Sequence, residues 1–207
     1  MIVALDLESS GLIPNGMQSE DPAFPWPVQV GMVRFDLDDR TLGVFGEYVL
    51  SEGRKIHDGA AAVHGVSSRQ AARSGFAEHI VIGNIIAAAR VSLYLVGWNI
   101  DYDIEVIRAA ICRRQRHGRR DLLISSFLRP GLRVIDLMKL ATPYCRFESG
   151  RDDGSYRWPK LRQACHELLG EPLDTESAHD ALDDAQRARR LFHWLRREGA
   201  IEELDAA

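Results

Sequence analysis

IVALDLE, residues 2–8, alternates apolar and other side chains through its centre. Successive strand side chains point to opposite faces, so Val3, Leu5 and Leu7 share one face, while Asp6 and Glu8 share the other. The stretch reads as a first β-strand carrying two carboxylates roughly 7 Å apart along the backbone, close enough to share a cation. On its own, D-x-E is common on strands with one solvated face. Outward from it, residues 28–37 and 43–50 read as two more strands joined by the turn-rich DLDDRT, an antiparallel meander. Between the first two strands, 12–27 is a long connection with four prolines, expected on the surface. Its Phe24 and Trp26 either lid the edge of the core, the preferred reading, or stack on a base.

Further along come a loop containing AAAVHGVSS, a helix near 75–89, a buried strand near 93–98 (LYLVGW) and a helix over 101–117 stopped by Gly118. LRVIDLMKLA supplies a short strand and a helix, residues 148–156 a polar loop, and WPKLRQACHELLG a helix with Pro159 near its first turn. Three strands followed by an alternating half predict an α/β fold with a mixed, five-stranded central sheet and helices on both faces. Residues 1–200 are expected to form a single domain, with 201–207 a short C-terminal tail.

The composition is that of an ordinary globular chain: 207 residues, 27% charged and 45% hydrophobic. A net charge of −4 argues against a generally basic coat, though it leaves room for a local basic track beside an acidic site. Cys112, Cys145 and Cys165 are odd in number and widely spaced, which fits neither a disulfide framework nor a cysteine zinc site. The opening MIVALDLESS does not fit a secretion signal, and the apolar stretch 80–96 is interrupted by Asn84, Arg90 and Ser92, so no membrane span is expected. The expected compartment is the cytoplasm.

Two further acids sit where a helix should be apolar. In AHDALDDAQRARRLFHWL (178–195), steps of three or four from Asp184 reach Ala181, Ala188, Leu191 and Leu195, while Asp183 steps to Arg187 on the solvated face. Asp103 likewise steps to Val106, Ile107 and Ala110, whereas Asp101 reads as a cap. A core carboxylate satisfied by backbone or a tyrosine is the alternative for Asp103. An uncompensated buried carboxylate costs several kcal/mol or more. If the four acids converge, divalent cations relieve their repulsion, and an all-oxygen set favours Mg²⁺ or Mn²⁺. Two such ions form the clamp used in phosphoryl hydrolysis. His179, at the start of the last helix, then lies at the rim of the cluster as a general base.

DLESSGL (6–12), VGWNIDYDI (96–104) and AHDALDDA (178–185) resemble, in order and spacing, the three motifs of the DEDDh 3′–5′ exonucleases related to the proofreading subunit of bacterial DNA polymerase III. AAAVHGVS, VIDLMKLA and WPKLRQACHELLG resemble that family's connecting segments, so the likeness spans nearly the whole chain. It implies an RNase H-like fold and removal of nucleoside monophosphates from single-stranded DNA or RNA 3′ ends. It also implies that Asp6, Glu8, Asp103 and Asp184 hold two metal ions, with His179 as base. By the same resemblance Gly11, Leu12, His64 and Asn99 lie near the terminal nucleotide, although His64-Gly65 is also plain turn chemistry. Trp98 replaces the histidine that many relatives carry before the asparagine, and the 12–27 loop is longer than usual. RRQRHGRR (113–120) carries five arginines, suited to a helix C-terminus or to a phosphate or partner contact. Arg187, Arg189, Arg190, Arg196 and Arg197 are expected on a solvated face. A non-catalytic RNase H-like module binding nucleic acid or protein is the competing reading, and a protein partner or homodimer is compatible with either.

Overall fold

The computed structural model describes residues 1–114, 117–151, 153–173 and 178–201. Its centre is a five-stranded sheet in the order β3-β2-β1-β4-β5. β1 (Ile2–Ser9) pairs antiparallel with β2 (Pro27–Phe35), which pairs antiparallel with β3 (Thr41–Tyr48). On its other side β1 runs parallel to β4 (Tyr94–Gly97), and β4 parallel to β5 (Arg133–Asp136). The alternation of β1 divides two cores. Val3, Leu5 and Leu7 face α3 (Glu78–Arg90), α4 (Ile100–Arg114) and α5 (His117–Phe127). Ile2 and Ala4 face α6 (Leu137–Cys145), α7 (Leu161–Leu169) and α8 (Ala181–Arg197). The mixed sheet and two helical faces are the expected architecture. Ile201, assigned to the tail, is buried against the second core; residues 202–207 lie outside the described residues.

Two local expectations are corrected. Residues assigned to a loop form two seven-residue helices, α1 (Asp58–His64) and α2 (Ser68–Ser74), divided by Gly65 at φ 71° and capped by Ser67, whose hydroxyl accepts from the Gln70 amide. Helices this short leave too few turns for a periodic signal and are held by caps and packing. α4 is described as far as Arg114, residues 115–116 lie outside the described residues, and Gly118, expected as a stop, lies inside α5, whose buried Phe127 anchors it. Pro159 directly precedes the N-cap Lys160 of α7, near the first turn as expected.

Many arginines of the basic stretches are engaged by partners within the chain. Glu78, 1% exposed, pairs with Arg54 (2.8 Å), Arg113 (3.0 Å) and Arg114 (3.1 Å), and Arg114 also pairs with Glu52. Arg113 and Arg114 are therefore turned to a buried carboxylate, not to phosphate. Arg120 pairs with Asp121, and Arg116 lies outside the described residues. This knot secures the 12–27 loop: Arg113 donates to the Phe24 carbonyl, Arg54 lies over the Trp26 ring at 4.4 Å, and Trp26 donates to the Lys55 carbonyl. Phe24 and Trp26 are buried, as lids of the core edge. On α8, the arginines expected in solvent are also engaged: Arg187 with Asp183, Arg189 with Asp39 and Thr41, Arg190 with Glu171, Arg196 with the Leu37 carbonyl. Arg197 alone of the five is exposed. Among the described residues, no helix is long and apolar enough to cross a membrane.

Candidate active site

Asp6 and Glu8 continue the face of β1 that carries Ile2 and Ala4, so they project toward α8. What lets α8 approach them is a row of missing side chains. Asp6 stands opposite Gly31 in β2, and Gly31 opposite Gly46 in β3. A Cβ at Gly31 would lie 1.9 Å from the Ala181 carbonyl oxygen, and one at Gly46 2.8 Å from the Leu182 side chain. The first turn of α8 thus rests directly on the sheet, which brings Asp184 to the acids of β1.

The start of α8 is fixed twice. Asp180 caps it, its Oδ1 accepting from the Leu182 and Asp183 amides at 3.0 Å each, while its Oδ2 accepts from Gln29 Nε2 at 2.8 Å. Gln29 is buried and stands opposite Glu8. Just before the cap, the His179 amide donates to the Val63 carbonyl at 3.1 Å, tying this segment to the end of α1.

Asp103 arrives from the other side. β4 pairs with β1 only over Ile2–Ala4, so that edge of β1 is unpaired beyond Ala4. A buried backbone donor needs an acceptor. Asp103 supplies it, taking the Leu7 amide on Oδ1 at 3.0 Å. The turn from β4 into α4 passes through Asn99 at φ 55°, whose amide donates to Asp136 Oδ1 at 3.0 Å. Asp101, expected as a cap, lies in the first turn of α4 and pairs with Lys139 at 2.6 Å.

The result is an open cleft of about 710 Å³ lined by Asp6, Glu8, Asp184, His179, Trp98 and Asn99, among others. Glu8, Asp103 and Asp184 are buried, while Asp6 keeps part of its surface open. Ligand atoms of Glu8, His179 and Asp184 lie within 4.8 Å of one another. Burial, followed by the charges of Asp103, Asp184 and Glu8, pushes Asp6 well above the usual carboxylate range. Burial does the same to Asp103 against the pull of the Leu7 hydrogen bond. Glu8 is raised to about 7 by burial and then by Asp184 and Asp180; Asp184 is raised to about 6 by burial, with Arg162 and Arg187 opposing. Asp184 Oδ1 is buried without a hydrogen-bond partner, and Arg187 Nε lies 3.7 Å from it. Burial first, then Arg162 and Lys160, holds His179 below its ordinary value; its Nδ1 lies 3.5 Å from Asp184 Oδ2.

Gly11, Leu12 and His64 line a second, more apolar cleft of about 660 Å³, which shares Leu7, Glu8 and Val63 with the first. Leu12 is 87% exposed there, and Tyr102 closes one wall, its hydroxyl donating to the Gly11 carbonyl at 2.6 Å. His64 is buried, with Nδ1 accepting from the Val66 amide at 3.0 Å. The four expected substrate-side residues are therefore split, Asn99 in the acid cleft and the other three beside it.

Sequence reading overlooks Gln29, Asp180 and Arg162. Gln29 is a polar residue inside an apolar strand, and buried Arg162 steps by three to Cys165 on the packed face of α7, the same anomaly that exposes the acids. Arg162 Nη2 donates to the Ala178 carbonyl at 3.0 Å, bracing the chain just before His179.

No protein-family model and no curated protein matches the chain. Among solved structures it shares the RNase H-like fold of exonuclease I. It is similar to Escherichia coli exonuclease I in complex with a dT13 oligonucleotide, with a TM-score of 0.71 and 19% identity over 94% of this chain and 40% of that one. The zinc-bound E. coli exonuclease I–ssDNA complex aligns with a TM-score of 0.69 and 19% identity over 95% and 40% of the two chains. A moderately thermophilic exonuclease I from Methylocaldum szegediense aligns at 0.64 and 22% identity, over 95% and 40%. The chain thus spans about 40% of the length of these neighbours.

Proposed function

We propose that this chain is a metal-dependent 3′–5′ exonuclease of the DEDDh type, which hydrolyses the terminal phosphodiester of single-stranded DNA or RNA and releases nucleoside monophosphates. The observation that supports the reading is that Asp6, Glu8 and Asp184, from β1 and α8, line one open cleft with His179, while Asp103 of α4 takes the Leu7 amide between the two β1 acids and its charge acts on Asp6. Asp6, Glu8, Asp103 and Asp184 would hold two Mg²⁺ or Mn²⁺ ions. Oxygen-rich donors, an orphaned Asp184 Oδ1 and carboxyls whose charges repel one another suit hard divalent cations. When bound, such ions supply charge neutralisation at the phosphoryl oxygens and ease deprotonation of water.

The chain's own groups do the rest. Held below its ordinary value, His179 is neutral at pH 7 and accepts the proton of the attacking water. Asp184, 3.5 Å from its Nδ1, orients the ring. His179 also lies within ligand distance of Glu8 and Asp184, where imidazole suits zinc better than magnesium, so we assign the base role to the Mg²⁺ or Mn²⁺ form. Leu12 and the neighbouring apolar cleft receive the terminal nucleoside, with Gly11 and His64 beside it and Asn99 on the acid side. The 3′–5′ polarity follows from the resemblance of the three motifs, and the shared fold with oligonucleotide-bound exonuclease I supports a single-stranded substrate.

Matched DNA and RNA oligomers, 5′-labelled and incubated with Mg²⁺ or Mn²⁺, test this. Stepwise shortening from the 3′ end is expected, abolished by chelator and by Asp184→Asn. Equal activity in that variant, or persistence in chelator, overturns the reading. An intact oligomer after incubation with the wild type and Mn²⁺ favours the non-catalytic module instead.

A further inference from the structure

The segment Arg157–Leu161 has a cleft on either side. Pro159, Lys160 and Leu161 line the acid cleft, while Arg157 and Trp158 line a separate cleft of about 390 Å³ with Ser149, Arg151, Ser155 and Tyr156. Two residues of extended chain span at most roughly 7 Å, so the Trp158 backbone stands within that distance of Lys160.

Trp158 is 63% exposed, whereas the chain's other three tryptophans are buried or half-buried in the two cores. Its backbone is nevertheless held. The Arg157 amide donates to the Phe147 carbonyl at 2.9 Å, the Arg157 guanidinium lies over the Phe147 ring at 4.6 Å, and a bridge joins Glu148 to Tyr156. On the other side, the Lys160 amide and Arg157 Nη1 both donate to Gln163 Oε1, at 3.1 and 3.2 Å. A large ring kept in water on an anchored segment contributes little to the core. Arg151 and half-exposed Tyr156 stand beside it, and Lys160 faces the acid cleft. Asp153 accepts from the Ser155 amide at 2.9 Å, and Asp152, next to Arg151, lies outside the described residues.

We propose that Trp158, with Arg151 and Tyr156, forms a second subsite for single-stranded nucleic acid, in which Trp158 stacks on a base upstream of the nucleotide in the acid cleft. Aromatic stacking tolerates any base, and flanking cations track the phosphates; the combination is the recurring surface for single strands. A paired base inside a duplex has both faces covered, so the subsite discriminates for unpaired strands. The inference rests on the proposed hydrolysis for its direction along the strand, but its binding chemistry stands apart from it.

The test is anisotropy of a dye-labelled oligothymidylate in chelator, so that no cleavage intervenes. Trp158→Ala should weaken binding about tenfold or more, with Trp158→Phe retaining most of the affinity. Both variants should melt with the wild type, because the ring is exposed. Affinity unchanged in Trp158→Ala overturns the subsite, and a protein occupant would then account for the exposed ring. Wild-type hydrolysis of a nitrophenyl ester of thymidine monophosphate reports the acid cleft separately. If that ester is inert while Trp158→Ala loses binding, the subsite stands and the hydrolytic reading fails. If the ester is cleaved and Trp158→Ala binds like wild type, the subsite alone fails.

Discussion

At Glu8 and Asp184, folding and the proposed ion binding pull in opposite directions. Their carboxyls rise from 4.5 and 3.8 to about 7 and about 6, so the folded chain binds more protons than the unfolded one between those limits. The stability this contributes is complete below pH about 4 and is lost as pH rises through 6 and 7. In chelator, the melting midpoint should therefore fall from pH 5 to pH 8 more steeply in the wild type than in Glu8→Gln. Parallel slopes would contradict that, and comparing the two cancels the opposite contribution of His64 and His179, both depressed by burial. His179 also sets the expected rate profile: the rate falls as pH drops through a value below 6.5, and His179→Ala costs about 10²–10⁴-fold, read from initial rates at saturating Mn²⁺. A profile flat from pH 5 to 7 would remove the base role. The acids were legible in the sequence because each breaks a pattern, Asp103 and Asp184 on apolar helical stripes and Asp6 and Glu8 by strand alternation. Arg162 breaks a pattern too, but a long basic side chain is commonly laid along apolar surface with its head in water, which masks the signal.

The glycine pair decides where α8 begins. Gly31→Ala would drive a methyl into the Ala181 carbonyl, so the helix must shift and carry Asp184 with it. Overpacking of this kind costs about 1–3 kcal/mol, and nuclease activity should fall well beyond what that loss of stability explains at a temperature where the variant stays folded. Denaturant melts and rates measured together check it; wild-type activity in Gly31→Ala would mean that α8 is free to settle elsewhere. Glu78 is the corresponding anchor on the opposite face. Glu78→Gln leaves Arg54, Arg113 and Arg114 without their shared counter-charge, at a cost of about 3–5 kcal/mol. Limited proteolysis should then cut the 12–27 loop, which those arginines secure; a loop resistant as in the wild type would contradict this. At this scale the sequence was less readable. The long strands and α8 declare themselves by period, but α1, α2 and α5 depend on caps and on contacts such as buried Phe127. The arginines of 113–120 cannot be told from a phosphate track until Glu78, distant in sequence, is seen beneath two of them.

Taken whole, the chain builds two cores on a sheet whose middle strand ends in its acids. The α/β class, the mixed sheet and its two helical faces follow from the order of strands and helices, because three consecutive strands followed by alternation admit few arrangements. The convergence of the acids rests on the unpaired end of β1, the Gly31–Gly46 trough and the Gln29–Asp180 latch, long-range matches that no local pattern announces. The central claim, that carboxylates from three segments share a pair of divalent cations, is tested most directly by titrating the metal-free protein with Mn²⁺ and following bound ion by electron paramagnetic resonance. Two ions per chain, magnetically coupled and lost in Asp6→Asn, are predicted. Failure to bind, or equal binding by the wild type and Asp6→Asn, would contradict it.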